Sequence, residues 1–265
     1  MTDGGKRTYW DAETYDRIGT PMRGWAQAVI DDLGLKGDET VLDAGCGSGS
    51  VTLDLWAKLP NGKIWALDSS PDMIAKLRAT LAERGITNIE PMQADLTRFH
   101  LPEMVDVVFS NAVFHWIQDD AGLFGSLARA TKPGGRLRAQ CGGGENIKKL
   151  MSATREVEKR EPYSQHLSGR AEPRKYRTET QAVEALQRNG WKNARANVFP
   201  SDVVFEDVDA AVLYLKTIIL QQQASALPGE MSDQFLRDVI AEVVKRHGAP
   251  FVADYVRLDL WAERG

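Results

Sequence analysis

A glycine-rich loop is the feature of this chain with the clearest chemical meaning. Gly45, Gly47 and Gly49 stand at every second position, after a strand-like run and before a helical pattern that opens near Ser50. Glycine permits positive φ angles and a close approach of the backbone to a ligand. A loop between a strand and a helix N-terminus can hold a nucleotide against bare backbone. The G-x-G-x-G spacing differs from the dinucleotide-binding and P-loop motifs. The loop therefore predicts a site for a nucleotide-like ligand.

Asp68 is the residue best placed to complete that site. It ends a predicted strand and stands 19 positions after Gly49, about where an acidic residue meets a ribose in Rossmann-like folds. A carboxylate can accept both hydroxyl protons of a ribose. The alternative is that Asp68 caps the following helix, although Ser69, Ser70 or Asp72 could do that instead. We expect Asp68 to bind a ribose.

The elements around these residues alternate between short apolar, β-branched runs and helical patterns of 10 to 15 residues. This alternation predicts βαβ units and a parallel sheet. The fold class is therefore α/β, a Rossmann-like, seven-stranded, mostly parallel sheet with helices on both faces and a helical cap over the strand C-terminal ends. The predicted strands lie at 39–44, 63–67, 88–93, 105–110, 136–141, 191–199 and 251–262. The main predicted helices lie at 22–33, 50–59, 71–84, 119–130, 178–188, 207–225 and 231–246.

The composition limits the class of protein. The chain has 265 residues, of which 43% are hydrophobic and 26% charged, so it can bury a full core. Its net charge of −4 argues against a nucleic-acid partner. The two cysteines and four histidines show no metal-ligand spacing, so we expect no metal. No apolar run approaches the length of a membrane span, which is about 20 residues. The polar N-terminus lacks the apolar region of a signal peptide. These features predict a cytoplasmic protein without a membrane partner. We expect it to be a monomer or a homodimer.

Three segments together resemble the motifs of the class I S-adenosylmethionine-dependent methyltransferases. They are Asp43-Ala-Gly-Cys-Gly-Ser-Gly49, Asp68-Ser-Ser-Pro-Asp-Met-Ile74 and Asn111-Ala-Val-Phe-His-Trp116. The chain is most similar to the trans-aconitate methyltransferase group, with Arg23 and the ending 256–262 adding to the match. The resemblance implies an enzyme with S-adenosyl-L-methionine as cofactor and a small molecule as methyl acceptor.

The resemblance also implies roles for individual residues. Asp95 would accept a hydrogen bond from the adenine amino group, with Ala94 and Leu96 flanking the ring. Asn111 and Ala112 would touch the methionine part of the cofactor. The implied cofactor-binding residues are Tyr15, Arg23, Asp43, Gly45, Cys46, Gly47, Asp68, Ser69, Met73, Ala94, Asp95, Leu96, Asn111 and Ala112.

Trp10, His115 and Trp116 are the residues that the resemblance places on the substrate. A carboxylate acceptor is ionised at neutral pH and needs no general base, so His115 would orient it. A hydroxyl or phenol acceptor would instead make His115 the base. The expected reaction is O-methylation of a carboxylate or a hydroxyl. The trans-aconitate group carries Gln where this chain has His115, and the segment 140–145 also differs.

The resemblance further implies one methyltransferase domain over residues 1–265. Its expected parts are an N-terminal helical segment at 1–35 that closes over the cofactor and a cofactor-binding core at 36–144. Cap or lid insertions are expected at 145–177 and 205–246. The final helix and strands of the core are expected at 178–204 and 247–265.

Other functions fit the sequence less well. A nicotinamide dehydrogenase also uses a glycine loop and an acidic strand end, but the loop spacing here differs. A non-catalytic protein with a methyltransferase fold and an RNA or protein methyltransferase are the remaining alternatives. The negative net charge speaks against RNA. Cys46, between two glycines, is interpreted as a packing residue and not as a nucleophile.

Overall fold

A computed structural model describes the backbone of residues 20–167, 169 and 172–265, and side chains from Gly24 onward. The chain divides into two compact units. The sheet unit contains residues 20–146, 173–201 and 255–265, and the helical unit contains the described residues among 147–172 and 202–254. No helix in these described ranges has the length and apolar character that crossing a membrane requires.

Seven strands of the sheet unit form one sheet in the order β3-β2-β1-β4-β5-β9-β6. Strand β9 runs antiparallel to both its neighbours, whereas β1 to β5 pair in parallel. The predicted Rossmann-like, mostly parallel sheet is therefore confirmed. The strands are β1 Thr40–Ala44, β2 Lys63–Asp68, β3 Ile89–Gln93, β4 Val105–Asn111, β5 Thr131–Gly142, β6 Trp191–Pro200, β7 Val203–Phe205, β8 Phe251–Ala253 and β9 Val256–Arg264.

Helices of the sheet unit, α1 to α4 and α7, cover both faces of this sheet. The described α-helices of the two units are α1 Thr20–Asp32, α2 Ser50–Trp56, α3 Pro71–Arg84, α4 Asp120–Ala130, α5 Lys148–Glu158, α6 Ser164–Leu167, α7 Glu179–Arg188, α8 Val208–Tyr214, α9 Gln221–Ala226 and α10 Gly229–His247. Alternate strand residues point to opposite faces. Val41 joins a core cluster with α1, α2 and α3, whereas the next residue, Leu42, joins one with α4 and α7. The result is a three-layer arrangement of the sheet unit, with helices on both faces of the sheet.

Local sequence signals determine where the helices of the sheet unit begin and end. The Ser70 side chain accepts a hydrogen bond from the Met73 N–H at the start of α3, and Gly85 ends that helix with a left-handed φ of 63°. Thr178 and Gln181 form a reciprocal capping box at the start of α7. Each of these bonds satisfies a backbone group that the helix end leaves unpaired.

Two of the predicted elements, the strand 251–262 and the helix 207–225, differ from the structure. The predicted strand 251–262 is wrong as a single element, because β8 pairs with β7 in a separate two-stranded sheet. Asp254 follows β8, and its carboxylate accepts the N–H groups of Lys149 and Leu150 at the start of α5. The predicted helix 207–225 is also interrupted, by a π-helical turn over Leu215–Ile219. A role for this unit as a cap stays a prediction.

Candidate active site

Two of the three glycines in the loop after β1, Gly45 and Gly47, are required for different physical reasons. Gly45 has φ +92°, and a Cβ atom there would lie 2.2 Å from Cγ2 of Val113. Gly47 has φ +54°, and a Cβ atom there would meet no heavy atom within 4 Å. Packing against the loop after β4 therefore requires Gly45. Gly47 instead borders open space, as a backbone that approaches a ligand should.

The carboxylate of Asp68 lies directly beside this loop. Its Oδ2 accepts the Gly47 N–H at 3.0 Å and its Oδ1 accepts the Ser70 N–H at 2.8 Å. Burial raises the pKa of Asp68, and the backbone N–H bonds oppose that rise. A carboxylate offers about four acceptor positions, more than these two bonds use. Asp68 can therefore receive two hydroxyl donors of a ribose, and the residues present fit the nucleoside part of S-adenosylmethionine.

Asp43 lies deeper, below the same loop. It is 2% exposed, and its Oδ2 accepts the Thr52 hydroxyl at 2.7 Å. Burial raises the pKa of Asp43 to about 7; the Thr52 bond opposes this and the charge of Asp68 adds to it. Cys46 is also buried, and burial raises the pKa of its thiol. The Asp43–Thr52 hydrogen bond thus connects β1 to helix α2, the two elements that flank the glycine loop. The predicted contact of Asp43 with the cofactor stays a prediction.

The predicted adenine residues follow β3, next to Asp68. The Ala94 N–H donates to the backbone oxygen of Asp68 at 3.0 Å, so these two strand ends are joined. Oδ1 of Asp95 accepts the N–H and the hydroxyl of Thr97 at 2.9 and 2.8 Å. These bonds, with the Arg98 cation, lower the pKa of Asp95. An ionised carboxylate at this position can accept a hydrogen bond from an amino group. Of the other predicted cofactor residues nearby, Leu96 and Met73 are buried and Ser69 is exposed.

The loop after β4 starts with an unusual backbone conformation. Ala112 has φ +61°, which an alanine adopts at a cost of roughly 1–2 kcal/mol. Its N–H donates to the backbone oxygen of Gln140 at 2.7 Å, which holds it there. Asn111 precedes it as the last residue of β4, and Val113 follows against Gly45. The structure thus brings the Asn111-Ala112 pair and the glycine loop together.

His115 lies in the short 3₁₀ helix Phe114–Trp116 and is buried. The Gly142 N–H donates to its Nδ1 at 3.2 Å. Nδ1 is therefore an acceptor, and the ring proton is on Nε2. Burial, together with the charges of Arg257, Arg174 and Arg177, holds the pKa of His115 well below its ordinary value. His115 is thus a neutral side chain that can donate a hydrogen bond from Nε2.

A segment that the sequence analysis did not assign to the site lies against this loop. We call residues 173–177 the arm. The Arg177 guanidinium donates to the backbone oxygens of Phe114 and Ile117 at 2.8 and 2.7 Å and pairs with Asp120. Arg177 is 1% exposed, so these bonds anchor the arm from a buried position. The signal that could have found it is the short run of basic and aromatic residues Arg174-Lys-Tyr-Arg177.

The arm adds an aromatic ring and a cation to the surroundings of His115. The ring centroids of Trp116 and Tyr176 lie 5.3 and 5.9 Å from that of His115. The Arg174 Cζ lies 5.6 Å from the Trp116 centroid and 6.0 Å from the Tyr176 centroid. The Lys175 N–H donates to the backbone oxygen of His115 at 2.7 Å. The predicted substrate residues His115 and Trp116 are therefore neighbours, and Tyr176 and Arg174 join them.

Some predicted site residues cannot be placed. Trp10 and Tyr15 lie outside the described residues, and so does the side chain of Arg23. In the described part of the chain, no group of three or more His, Cys, Asp or Glu side chains is arranged to hold a metal ion.

Comparison with known proteins identifies relatives of the chain. A profile described as a methyltransferase domain matches residues 41–135. The trans-aconitate 2-methyltransferase of Azoarcus sp. (strain BH72) is 34% identical over 131 residues, 49% of this chain and 50% of that protein. The malonyl-(acyl-carrier protein) O-methyltransferase 2 of Ilyobacter polytropus is 30% identical over 160 residues, 58% of this chain and 60% of that protein. The chain thus spans about half of the length of the first and 60% of the second.

A solved structure has the same fold. The phosphoethanolamine N-methyltransferase 2 of Haemonchus contortus, in complex with phosphomonomethylethanolamine and S-adenosylhomocysteine, superposes with a TM-score of 0.63. The match covers 96% of this chain and 56% of that one at 15% identity. At this identity the likeness establishes the fold alone.

Proposed function

Since this chain belongs to the class I S-adenosylmethionine-dependent methyltransferases, we propose that it is an enzyme that methylates an oxygen atom of a small carboxylic acid. Family membership confirms the resemblance carried by the three sequence motifs. The choice of a carboxylate over a hydroxyl rests on the surroundings of His115.

The strand ends provide the groups that would hold the cofactor. Asp68 and the backbone at Gly47 would hold the ribose, and Asp95 the adenine amino group. Asn111 and Ala112 would lie beside the methionine part. When bound, S-adenosylmethionine supplies a methyl group activated by its sulfonium charge. The chain's own residues then have to align an acceptor oxygen and exclude water.

The hydrogen-bonding state of His115 is the observation that carries the proposal. A hydroxyl acceptor needs a base to take its proton. In His115 the Nδ1 lone pair accepts the Gly142 N–H, and Nε2 already carries the proton. Burial and the nearby arginines further disfavour its protonation. His115 is thus a poor base but a good donor, and a donor is what an ionised carboxylate needs for orientation.

The charges near His115 also favour a carboxylate as the methyl acceptor. Arg257 is 2% exposed, and its Nε donates to Oε1 of Gln140 at 3.2 Å. With Arg174 and Arg177 it creates a positive potential at His115, which favours an anionic ligand. The two relatives are named for trans-aconitate and malonyl-(acyl-carrier protein), which both bear carboxyl groups.

A methyl-transfer assay tests the proposal. The purified protein is incubated with methyl-labelled S-adenosylmethionine and with matched pairs of acids and alcohols or phenols, between pH 6 and 8. We expect base-labile methyl esters from the acids, at a rate that changes little with pH because carboxylates stay ionised throughout. Transfer to phenols at a rate that rises with pH would contradict a carboxylate acceptor. Cofactor binding without transfer to any acceptor would favour a non-catalytic protein.

Two substitutions of His115 separate the donor role from the base role. His115→Gln keeps an N–H donor, and we expect kcat/KM for the acid to stay within about tenfold of wild type. His115→Phe removes the donor, and a loss of about 10- to 100-fold is expected. Affinity for S-adenosylhomocysteine, measured by calorimetry, should stay nearly constant in both variants. Equal losses in the two variants would instead indicate that His115 acts as a base.

A further inference from the structure

The turn that carries His115 is short, since the 3₁₀ helix spans only Phe114–Trp116. The Trp116 N–H donates to the Val113 oxygen at 2.9 Å, and the Ile117 N–H donates to the Phe114 oxygen at 3.3 Å. Hydrogen bonds of a 3₁₀ helix have poorer geometry than those of an α-helix. So short a turn depends on other parts of the molecule to hold His115 in one position.

Arg177 donates to this turn from the arm. Its Nη1 donates to the Phe114 oxygen at 2.8 Å, and its Nη2 donates to the Ile117 oxygen at 2.7 Å. Its Nε donates to Oδ1 of Asp120 at 2.8 Å. A guanidinium is a planar group whose five N–H donors have fixed directions. A single side chain thus joins both ends of the turn to one carboxylate.

The backbone of Arg177 is itself held on both sides. The Gly144 N–H donates to the Arg177 oxygen at 2.9 Å, and Gly143 forms a parallel bridge with Arg177 just after β5. On the other side, Thr178 begins α7 with its capping box. Asp120 is the first residue of α4. Arg177 therefore connects the turn to three elements of the sheet unit, β5, α4 and α7.

His115 receives two further hydrogen bonds that require the turn to stay in this place. The Lys175 N–H donates to the backbone oxygen of His115 at 2.7 Å, and the Gly142 N–H donates to its ring Nδ1 at 3.2 Å. The first bond fixes the main chain of His115, and the second keeps the ring proton on Nε2. A shift of the turn would lengthen the second bond, and the proton could then move to Nδ1.

We propose that Arg177 is a positioning residue, which fixes this turn through Phe114, Ile117 and Asp120 and so directs the Nε2 donor of His115 at the methyl acceptor. This inference rests on the proposed function, which gives His115 that role. Arg177 is buried, so it acts on the acceptor through His115 and not by contact. A large effect is expected, because a misplacement of about 1 Å can reduce turnover about 100-fold.

A comparison of single and double variants tests whether Arg177 acts through His115. Arg177→Gln, His115→Phe and the double variant are assayed with the best acid found in the methyl-transfer assay. We expect Arg177→Gln alone to lower kcat about 10- to 100-fold. In the His115→Phe background the donor is already absent, so the same change should lower kcat no more than about threefold further. Losses that multiply would mean that Arg177 acts independently of His115, and would overturn the proposal.

Two further variants separate position from charge and from general stability. Arg177→Lys keeps the charge on a single nitrogen atom, and we expect its kcat to stay within about threefold of that of Arg177→Gln. Arg264 provides the matched control, since its guanidinium also donates to two backbone oxygens, those of Ala128 and Gly190, both at 2.8 Å. Arg264→Gln should keep kcat within about threefold of wild type. Wild-type kcat in Arg177→Lys, or an equal loss in Arg264→Gln, would contradict a positioning role.

NMR of the His115 ring gives a measurement that does not depend on turnover. Protein labelled with ¹⁵N-histidine reports which ring nitrogen carries the proton, and His115→Phe identifies the signal. We expect one form, protonated on Nε2, in wild type and Arg264→Gln, and a mixture of two forms in Arg177→Gln. A single unchanged form in Arg177→Gln would reject the positioning role. If wild type methylates no acid but the spectra agree with this expectation, the proposed reaction is rejected and the positioning of His115 is retained.

A milder variant serves if Arg177→Gln does not fold, which urea denaturation would show. Asp120→Asn leaves the donors of Arg177 to Phe114 and Ile117 intact but removes the charge that anchors the guanidinium. We expect the same changes in kcat and in the His115 spectrum, each smaller than for a loss of Arg177 itself. An unchanged spectrum and unchanged kcat in Asp120→Asn would then reject the proposal.

Discussion

The glycine loop and the surroundings of His115 carry side chains of opposite charge. Asp68 lies beside the loop and Asp43 below it, and burial raises the pKa of both. Around His115 lie three guanidinium groups, of which Arg177 and Arg257 are buried and Arg174 is partly buried, and they help to keep its pKa low. Groups of one sign in such partly desolvated surroundings favour a ligand that supplies the opposite sign or the missing hydrogen bonds. The first region therefore suits a ligand with hydroxyl donors and a positive charge, and the second suits an anion.

The two regions also differ in how their charges are held. The carboxylates of Asp68 and Asp43 accept neutral donors, backbone N–H groups in one case and the Thr52 hydroxyl in the other. Arg177, in contrast, pairs with the Asp120 carboxylate as well as with backbone oxygens. A neutral donor stabilises a buried charge less than a counter-ion does. The region around Asp43 and Asp68 is therefore stabilised more by its bound ligand. Substitutions there are expected to weaken ligand binding the most.

Replacing Asp68 is expected to have the largest effect. Asp68→Ala removes the proposed acceptor of two ribose hydroxyls, and hydrogen bonds to a charged group contribute about 1.5–3 kcal/mol each. We therefore expect calorimetry to show affinity for S-adenosylhomocysteine falling at least about 100-fold. Asp72→Ala, which removes an exposed carboxylate nearby, should keep wild-type affinity. Equal affinity of wild type and Asp68→Ala would remove the acidic region from the cofactor site.

Alanine substitutions at Gly45 and Gly47 separate an effect on packing from an effect on cofactor binding. Gly45→Ala adds a Cβ atom 2.2 Å from Val113 at a left-handed φ, and we expect a loss of about 3 kcal/mol in the free energy of unfolding. In Gly47→Ala the new Cβ atom has no heavy atom within 4 Å. This variant should lose only about 1 kcal/mol in the free energy of unfolding, but it should bind the cofactor more weakly. Urea denaturation and calorimetry measure the two quantities.

A second substitution checks the packing explanation. Val113→Ala removes the atoms that the new Cβ of Gly45→Ala would meet, so the double variant should recover part of the lost stability. If it recovers none, the loss comes from backbone strain alone.

The pH dependence of stability tests the burial of Asp43. The pKa of Asp43 is about 7 in the folded protein, against 3.8 for an ordinary aspartate. Between these values the folded protein keeps a proton that the unfolded chain has released. The contribution of Asp43 to the free energy of unfolding therefore falls as pH rises from about 4 to 7, by at most about 1.4 kcal/mol per pH unit. Urea denaturation at several pH values should show a flatter profile for Asp43→Asn, and an unchanged profile for the exposed control Asp72→Asn. Parallel profiles for wild type and Asp43→Asn would mean that Asp43 is ionised in the fold.

The same two regions show what sequence alone could predict. The glycine loop, Asp68 and helix α3 lie in one stretch, and their signals are local ones: spacing, a cap at Ser70 and a terminal Gly85. The arm could not be predicted in this way, because its place depends on Arg177 reaching Asp120, 57 positions earlier in the chain. The sequence shows a basic segment but not what it contacts.

The wrong prediction of one strand over residues 251–262 has a similar cause. Residues 251–262 show one continuous strand-like pattern, and this pattern does not reveal that the segment enters two different sheets. The division depends on two contacts with residues far along the chain. Asp254 accepts the N–H groups at the start of α5, and Oδ1 of Asn146 accepts the Val256 N–H at 2.8 Å.

Strand β9 separates β5 from β6, so residues 256–264 decide which edges the sheet exposes. Among the described strands, β6 pairs with β9 alone. Until β9 is in place, β5 presents an open row of N–H and C=O groups, and β6 has nothing to join. Such rows recruit strands from other chains. We therefore expect the chain to be prone to aggregation until β9 pairs, because that pairing places β5 inside the sheet and leaves β6 as the edge strand.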